Sequence, residues 1–106
     1  MRVRIRDAEG TTYITCTFEK DRIPYQASIT VYSSRVNCEV VPPGFAAKEF
    51  VDRLKRVLGE PVEGPRVRSS HSDCGEETGS LVVSWKIEGG REECLKRIRS
   101  TLSSAD

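Results

Sequence analysis

The sequence predicts an α+β two-layer sandwich: a mainly antiparallel sheet with two helices covering one face. Three observations lead there. Six segments alternate apolar and polar residues with a period of two, so each offers one face to a core and one to solvent. Two longer segments, 45–58 and 91–102, repeat apolar residues at i, i+3 and i+4 instead. The resulting order is β-β-β-β-α-β-β-α, in which one-faced strands joined by short turns pair antiparallel and leave both helices to one side.

Residues 2–6 place Val3 and Ile5 on one face and Arg2, Arg4 and Arg6 on the other. Asp7-Ala8-Glu9-Gly10 reads as a turn. Residues 11–19 alternate again, with Ile14, Cys16 and Phe18 on the apolar side and Tyr13, Thr15 and Thr17 opposite, which completes a hairpin. Residues 20–25 are a charged connection containing Ile23-Pro24. A third strand, 26–32, turns Ala27, Ile29 and Val31 inward, and Ser33-Ser34 leads to a fourth, 35–41, with Val36, Cys38 and Val40 inward. A two-residue turn there sets Ile29 opposite Cys38 and Val31 opposite Val36, a register in which apolar faces apolar.

Pro42-Pro43-Gly44 stops the fourth strand. Ala46, Ala47, Phe50, Val51, Leu54, Val57 and Leu58 then form the stripe of the first helix, which Gly59 and Pro61 end. Lys48–Asp52, Glu49–Arg53 and Asp52–Arg56 are spaced for ion pairs on its outer side. Residues 62–68 form a short strand that Pro61 and Pro65 assign to a sheet edge, and 69–79 reads as polar loop. Leu81, Val83, Trp85 and Ile87 line one face of the last strand. Gly89-Gly90 leads into the final helix, 91–102, which buries Cys94 or Leu95, Ile98 and Leu102 and repeats the charge spacing at Glu92–Lys96 and Glu93–Arg97; residues 103–106 are a frayed tail.

At 106 residues there is room for one core, so residues 1–106 are read as a single domain. The net charge of +1 excludes attraction of the whole molecule to nucleic acid or anionic membrane and leaves only a local patch. No apolar run reaches the length of a membrane span, and the opening residues alternate like a strand rather than forming an apolar leader, so an intracellular, cytoplasmic protein is expected.

Cys16, Cys38, Cys74 and Cys94 are dispersed, with no close C-x₂-C pair of the kind that zinc and redox motifs use, and this favours disulfides. Disulfides in an intracellular chain, a single Asn (Asn37), a single Gln (Gln26) and abundant charge together suggest a hyperthermophile origin. Cys16 and Cys38 point inward but two strands apart, about 10 Å, which is too far to bridge. Cys94 on the last helix is therefore expected to bond an inward strand cysteine or the loop cysteine Cys74, and a loop cysteine could also join two copies. The competing reading is that the inward cysteines are small buried hydrophobes with free thiols.

Candidate chemistry is sparse. His71-Ser72-Asp73-Cys74 gathers groups that serve as metal ligands, or as a nucleophile and its base, but the remaining ligand spacing suits no compact zinc motif and there is no second His. Gly89-Gly90 could cradle a phosphate, but Glu92 and Glu93 in the next turn repel one. No catalytic constellation and no cofactor motif stands out, so a non-enzymatic protein without a cofactor is expected. The polar sheet face is the strongest surface. Arg2, Arg4 and Arg6 should share this face with Tyr13, Thr15 and Thr17, with Thr30, Tyr32 and Arg35 extending the patch. Arginines among tyrosines on an open sheet can pair phosphates and stack bases, so the expected ligand is RNA. The alternative is a protein-interaction or structural subunit that uses this face or an edge strand in a homodimer.

Residues 36–88 run β-α-β-β, with the helix FAAKEFVDRLKRVLGE feeding a short strand and then a longer one. In element order and helix pattern this stretch, about half the chain, is similar to the later half of THUMP domains, RNA-binding modules attached to tRNA-modifying enzymes. The resemblance implies a minimal stand-alone relative that touches structured RNA, and it assigns no role to any individual residue.

Overall fold

Two-residue turns build the first half of the sheet. Strands β1 (Arg2–Ala8) and β2 (Thr11–Lys20) are joined by Glu9 and Gly10, both at positive φ (49° and 82°), and β2 is joined to β3 (Ile23–Val31) by Asp21 and Arg22 at 53° and 68°. Positive φ at both central residues gives the turn twist that matches the flanking strands. The second of these hairpins replaces the connection expected over 20–25. Pro24 lies inside β3, opposite Glu19, and it is tolerated because β4 (Arg35–Val41) pairs with β3 only from Gln26 onward. The computed structural model describes residues 1–71 and 77–103.

The chain continues through α1 (Phe45–Leu58), β5 (Glu63–His71), β6 (Glu77–Lys86) and α2 (Arg91–Ser103), giving the expected β-β-β-β-α-β-β-α order. All six strands form one antiparallel sheet in the order β1-β2-β3-β4-β6-β5. The β3–β4 register sets Ile29 opposite Cys38 and Val31 opposite Val36, as the turn length requires. β5 and β6 run further than expected, pairing Ser69 with Gly79 and His71 with Glu77 in the stretch read as loop. Those ends lack alternating apolar residues, so backbone pairing rather than patterning holds them. No helix of the described residues is long and apolar enough to cross a membrane.

The core lies between the sheet and the helices. Ile14, Ala27, Ile29, Val31, Val36, Val40, Leu81, Val83 and Trp85 bury against Phe50, Val51 and Leu54 of α1 and Ile98 and Leu102 of α2. Trp85 is the largest fully buried side chain, and its Nε1–H donates to the Gly59 carbonyl at 2.9 Å, so the polar tip is satisfied at the end of α1. Phe18, Tyr25 and Phe50 stack at one end, with centroid spacings of 5.2 and 5.6 Å. Arg91 anchors the start of α2 by donating to the Thr12 hydroxyl, which donates in turn to Asp7. Of the expected helix ion pairs, Glu93–Arg97 closes at 3.5 Å.

Two expectations need correction. Cys16, Cys38 and Cys94 are all buried free thiols, and none of them is paired with another, so the disulfide reading is not supported. Cys16 and Cys38 are held on β2 and β4 with β3 between them, at levels opposite Ala27 and Ile29 respectively. The pairing proposed for Cys94 with an inward strand cysteine does not form, and Cys74 lies outside the described residues. The second correction concerns β1. The first helix packs chiefly over β4 and β6 in the middle of the sheet, and Val3 and Ile5 at its edge remain 37% and 41% exposed while their partners Cys16 and Ile14 are fully buried.

Candidate nucleic-acid interface

The face of the sheet away from the helices is polar and open, and pairing register fixes what stands beside what. Arg2 faces Thr17, Arg4 faces Thr15 and Arg6 faces Tyr13 across the first hairpin. The Arg6 guanidinium lies over the Tyr13 ring, 4.9 Å from its centroid, a cation–π contact that orients both groups. Tyr13 in turn faces Thr30, and Thr15 faces Ser28. Arg4, Arg6, Tyr13, Thr15, Ser28 and Thr30 line a shallow hollow of about 660 Å³. Its floor is small hydroxyls and its outer wall is arginine.

A second hollow of about 390 Å³ shares Ser28 and Thr30 with the first, so the two form a continuous trough across the sheet. Its far wall is Arg66 and Arg68 of β5. Neither was singled out from sequence, because the bulge between Glu63 and Arg66 shifts the alternation and brings both arginines onto the same face as Glu63. Gly64, at φ 79°, makes that bulge possible, and a Cβ there would stand 2.5 Å from the Val82 carbonyl oxygen.

The two halves of the trough differ electrically. On the β4–β5 side the charges are largely matched: Arg35 reaches Glu63 at 3.3 Å and the Asn37 side-chain oxygen at 3.1 Å, and Glu39 accepts from the Ser80 hydroxyl at 2.9 Å with Arg68 at 4.0 Å. Ser84 also donates to the Asn37 oxygen, at 2.8 Å. On the β1–β2 side, among the described residues, Arg2, Arg4 and Arg6 have no carboxylate partner. Arg35 is therefore separated from the arginine row and already engaged, while Tyr32, exposed just beyond β3, donates its backbone N–H to the Arg35 carbonyl at the next turn.

The three described thiols are chemically quiet. Burial pushes Cys16 up to about 11, against the weaker opposing pull of the chain's amino terminus. Burial, with smaller contributions from Cys16 and Glu39, pushes Cys38 up to about 12. Cys94 is also raised by burial, with Arg97 opposing. Thiols held protonated in this way are poor nucleophiles and poor metal ligands. Among the described residues no cluster of His, Cys, Asp and Glu could hold a metal ion. The candidate pair His71 and Cys74 is not tested by this, since Cys74 and the His71 side chain lie outside what the structure describes. Comparison with protein-family models, curated proteins and solved structures finds no match for this chain.

Proposed function

We propose that the protein is a non-enzymatic RNA-binding module whose outer sheet face takes the sugar-phosphate backbone. The observation that carries this is the unneutralised row Arg2, Arg4 and Arg6, aligned with Thr17, Thr15 and Tyr13 in a chain whose net charge is only +1. Arginines fixed at two-residue intervals on a rigid strand present guanidinium forks to successive phosphates. The hydroxyl floor of Thr15, Ser28 and Thr30 can bond ribose and phosphate oxygens, and Tyr13, already oriented by Arg6, offers a face to a base. Arg66 and Arg68 give the trough a second basic wall. The similarity in element order of residues 36–88 to the later half of THUMP domains agrees with this reading and points to structured RNA.

Binding of a labelled transfer RNA, followed by fluorescence anisotropy over a salt series, tests it. Affinity should fall steeply with salt, because phosphate contacts release counterions. Arg4→Ala and Arg6→Ala should each weaken binding and lower the salt slope by about one, whereas Arg35→Ala, already engaged by Glu63, should do less. Absent binding, or binding insensitive to salt and to the Arg4 change, would remove the proposal.

A further inference from the structure

The two edges of the sheet are not alike. The first part of β5 is blunted by the Gly64 bulge and Pro65, devices that hinder strand addition. β1 runs through its length in unbroken register with β2, holds no proline, and on its helix side shows Val3 and Ile5 before reaching Asp7, which Thr12 engages. Among the described residues one row of its backbone groups has no strand partner, and Val3 and Ile5 stay partly exposed. RNA on the outer face would contact neither feature, so they call for a separate explanation.

We infer that β1 accepts an added strand from a partner protein, an extended segment with apolar side chains facing Val3 and Ile5 and acidic ones facing Arg2, Arg4 and Arg6. Main-chain hydrogen bonds to an open edge supply affinity in such additions, and alternate side chains supply specificity. The arginine row decides among occupants. A second copy pairing through its own β1 about a twofold axis sets Arg4 against Arg4 and Arg2 against Arg6, or Arg4 against Arg6 in the neighbouring register. Like charges directly opposite one another are destabilising, whereas carboxylates at those positions turn the same row into attraction. At the start of β1, a hollow of about 730 Å³ between β1, β2 and α1 is lined by Met1, Phe18, Ala46 and Phe50 together with charged residues that include Arg2, Glu19, Glu49 and Arg53.

The test is amide hydrogen exchange on the full chain, with a short capped peptide of alternating glutamate and valine as the probe. Two controls alternate lysine with valine and glutamate with serine. The glutamate–valine peptide should protect the β1 amides saturably, and the controls should bind about tenfold more weakly or worse, having lost one of the two side-chain sets. Ile5→Glu and Arg4→Glu should each bring the glutamate–valine peptide down to the level of the controls. Val3→Thr, which keeps strand preference, replaces Ile5→Glu if that variant fails to fold. No protection by any peptide, or equal protection by the lysine–valine peptide, overturns the inference. So does peptide-free protection of β1 that grows with protein concentration together with a doubled mass in sedimentation, since the occupant would then be a second copy.

Discussion

Raising the pH separates a folded state with protonated thiols from an unfolded state that has lost them. Cys16 and Cys38 are buried and raised from an ordinary value of 9.0 to about 11 and about 12. Because both folded values lie above the unfolded one, the unfolded chain releases its protons first as pH rises. The stability these thiols contribute is therefore fully present below pH 9 and is lost progressively as pH climbs through their folded values. Each thiol forfeits about 1.4 kcal/mol per pH unit in that window, so the pair costs about 2–3 kcal/mol by pH 10, a large share of a typical 5–15 kcal/mol. The assay is urea unfolding under reductant, followed by Trp85 fluorescence at steps from pH 7 to 10, on the natural chain and on the double variant Cys16→Ala, Cys38→Ala. The variant should be less stable at neutral pH, since two buried side chains are truncated, but that deficit should shrink by about 2–3 kcal/mol by pH 10. Every other side chain is common to both proteins, so the difference isolates the two thiols. A deficit that stays constant with pH refutes the reasoning, and with it the assignment of these cysteines as protonated core residues.

Two further stability changes follow from particular contacts. Trp85→Ala should cost about 3–5 kcal/mol, and Trp85→Phe about 1–2 kcal/mol through the stranded Gly59 carbonyl, both read from denaturation followed by circular dichroism. Gly64→Ala forces a Cβ against the Val82 carbonyl at positive φ and should cost about 1–3 kcal/mol, with exchange rising first in β5; Gly10→Ala, which meets open space, should cost about 1 kcal/mol.

What the sequence made legible, and what it hid, divides along local and non-local physics. The register of β3 on β4 and the shared face of Arg2, Arg4 and Arg6 with Tyr13, Thr15 and Thr17 follow from alternation and short turns, both local. The α1 boundaries, Phe45 to Leu58, follow from a strong apolar stripe and a terminating glycine. The Asp21-Arg22 turn was hidden because Arg22 is not a usual positive-φ residue and Pro24 resembles a breaker. The bare helix side of β1 was hidden because the lateral position of the helices depends on how the whole sheet is ordered, with β6 inserted between β4 and β5. Arg66 and Arg68 were hidden by a bulge that breaks the period by which faces are read. The cysteines show the opposite failure. Their inward positions and the strand that separates Cys16 from Cys38 were legible, but the bond expected between Cys94 and an inward strand cysteine does not form.

The uneven charge of the trough yields a prediction about the route of the bound RNA. Glu39 lines its β4–β5 half, held by Ser80 and near Arg68, and it stands directly opposite Ser28 of the hydroxyl floor. If phosphates cross the whole trough, from the β1 arginines to Arg66 and Arg68, at least one must pass this carboxylate. At a separation of roughly 10 Å and a solvent-like dielectric the repulsion is about 0.5 kcal/mol per phosphate, or a two- to threefold change in affinity. Glu39→Gln removes the charge while its amide oxygen can still accept from Ser80, and it also releases Arg68. Tighter binding by at least that factor is the expected outcome, with the gain largest at low salt, where screening is least. Unchanged affinity would confine the RNA to the Arg2–Arg4–Arg6 half of the face and make Arg66 and Arg68 bystanders. Because Arg4→Ala weakens binding on either route, the two variants together determine how much of the face is used.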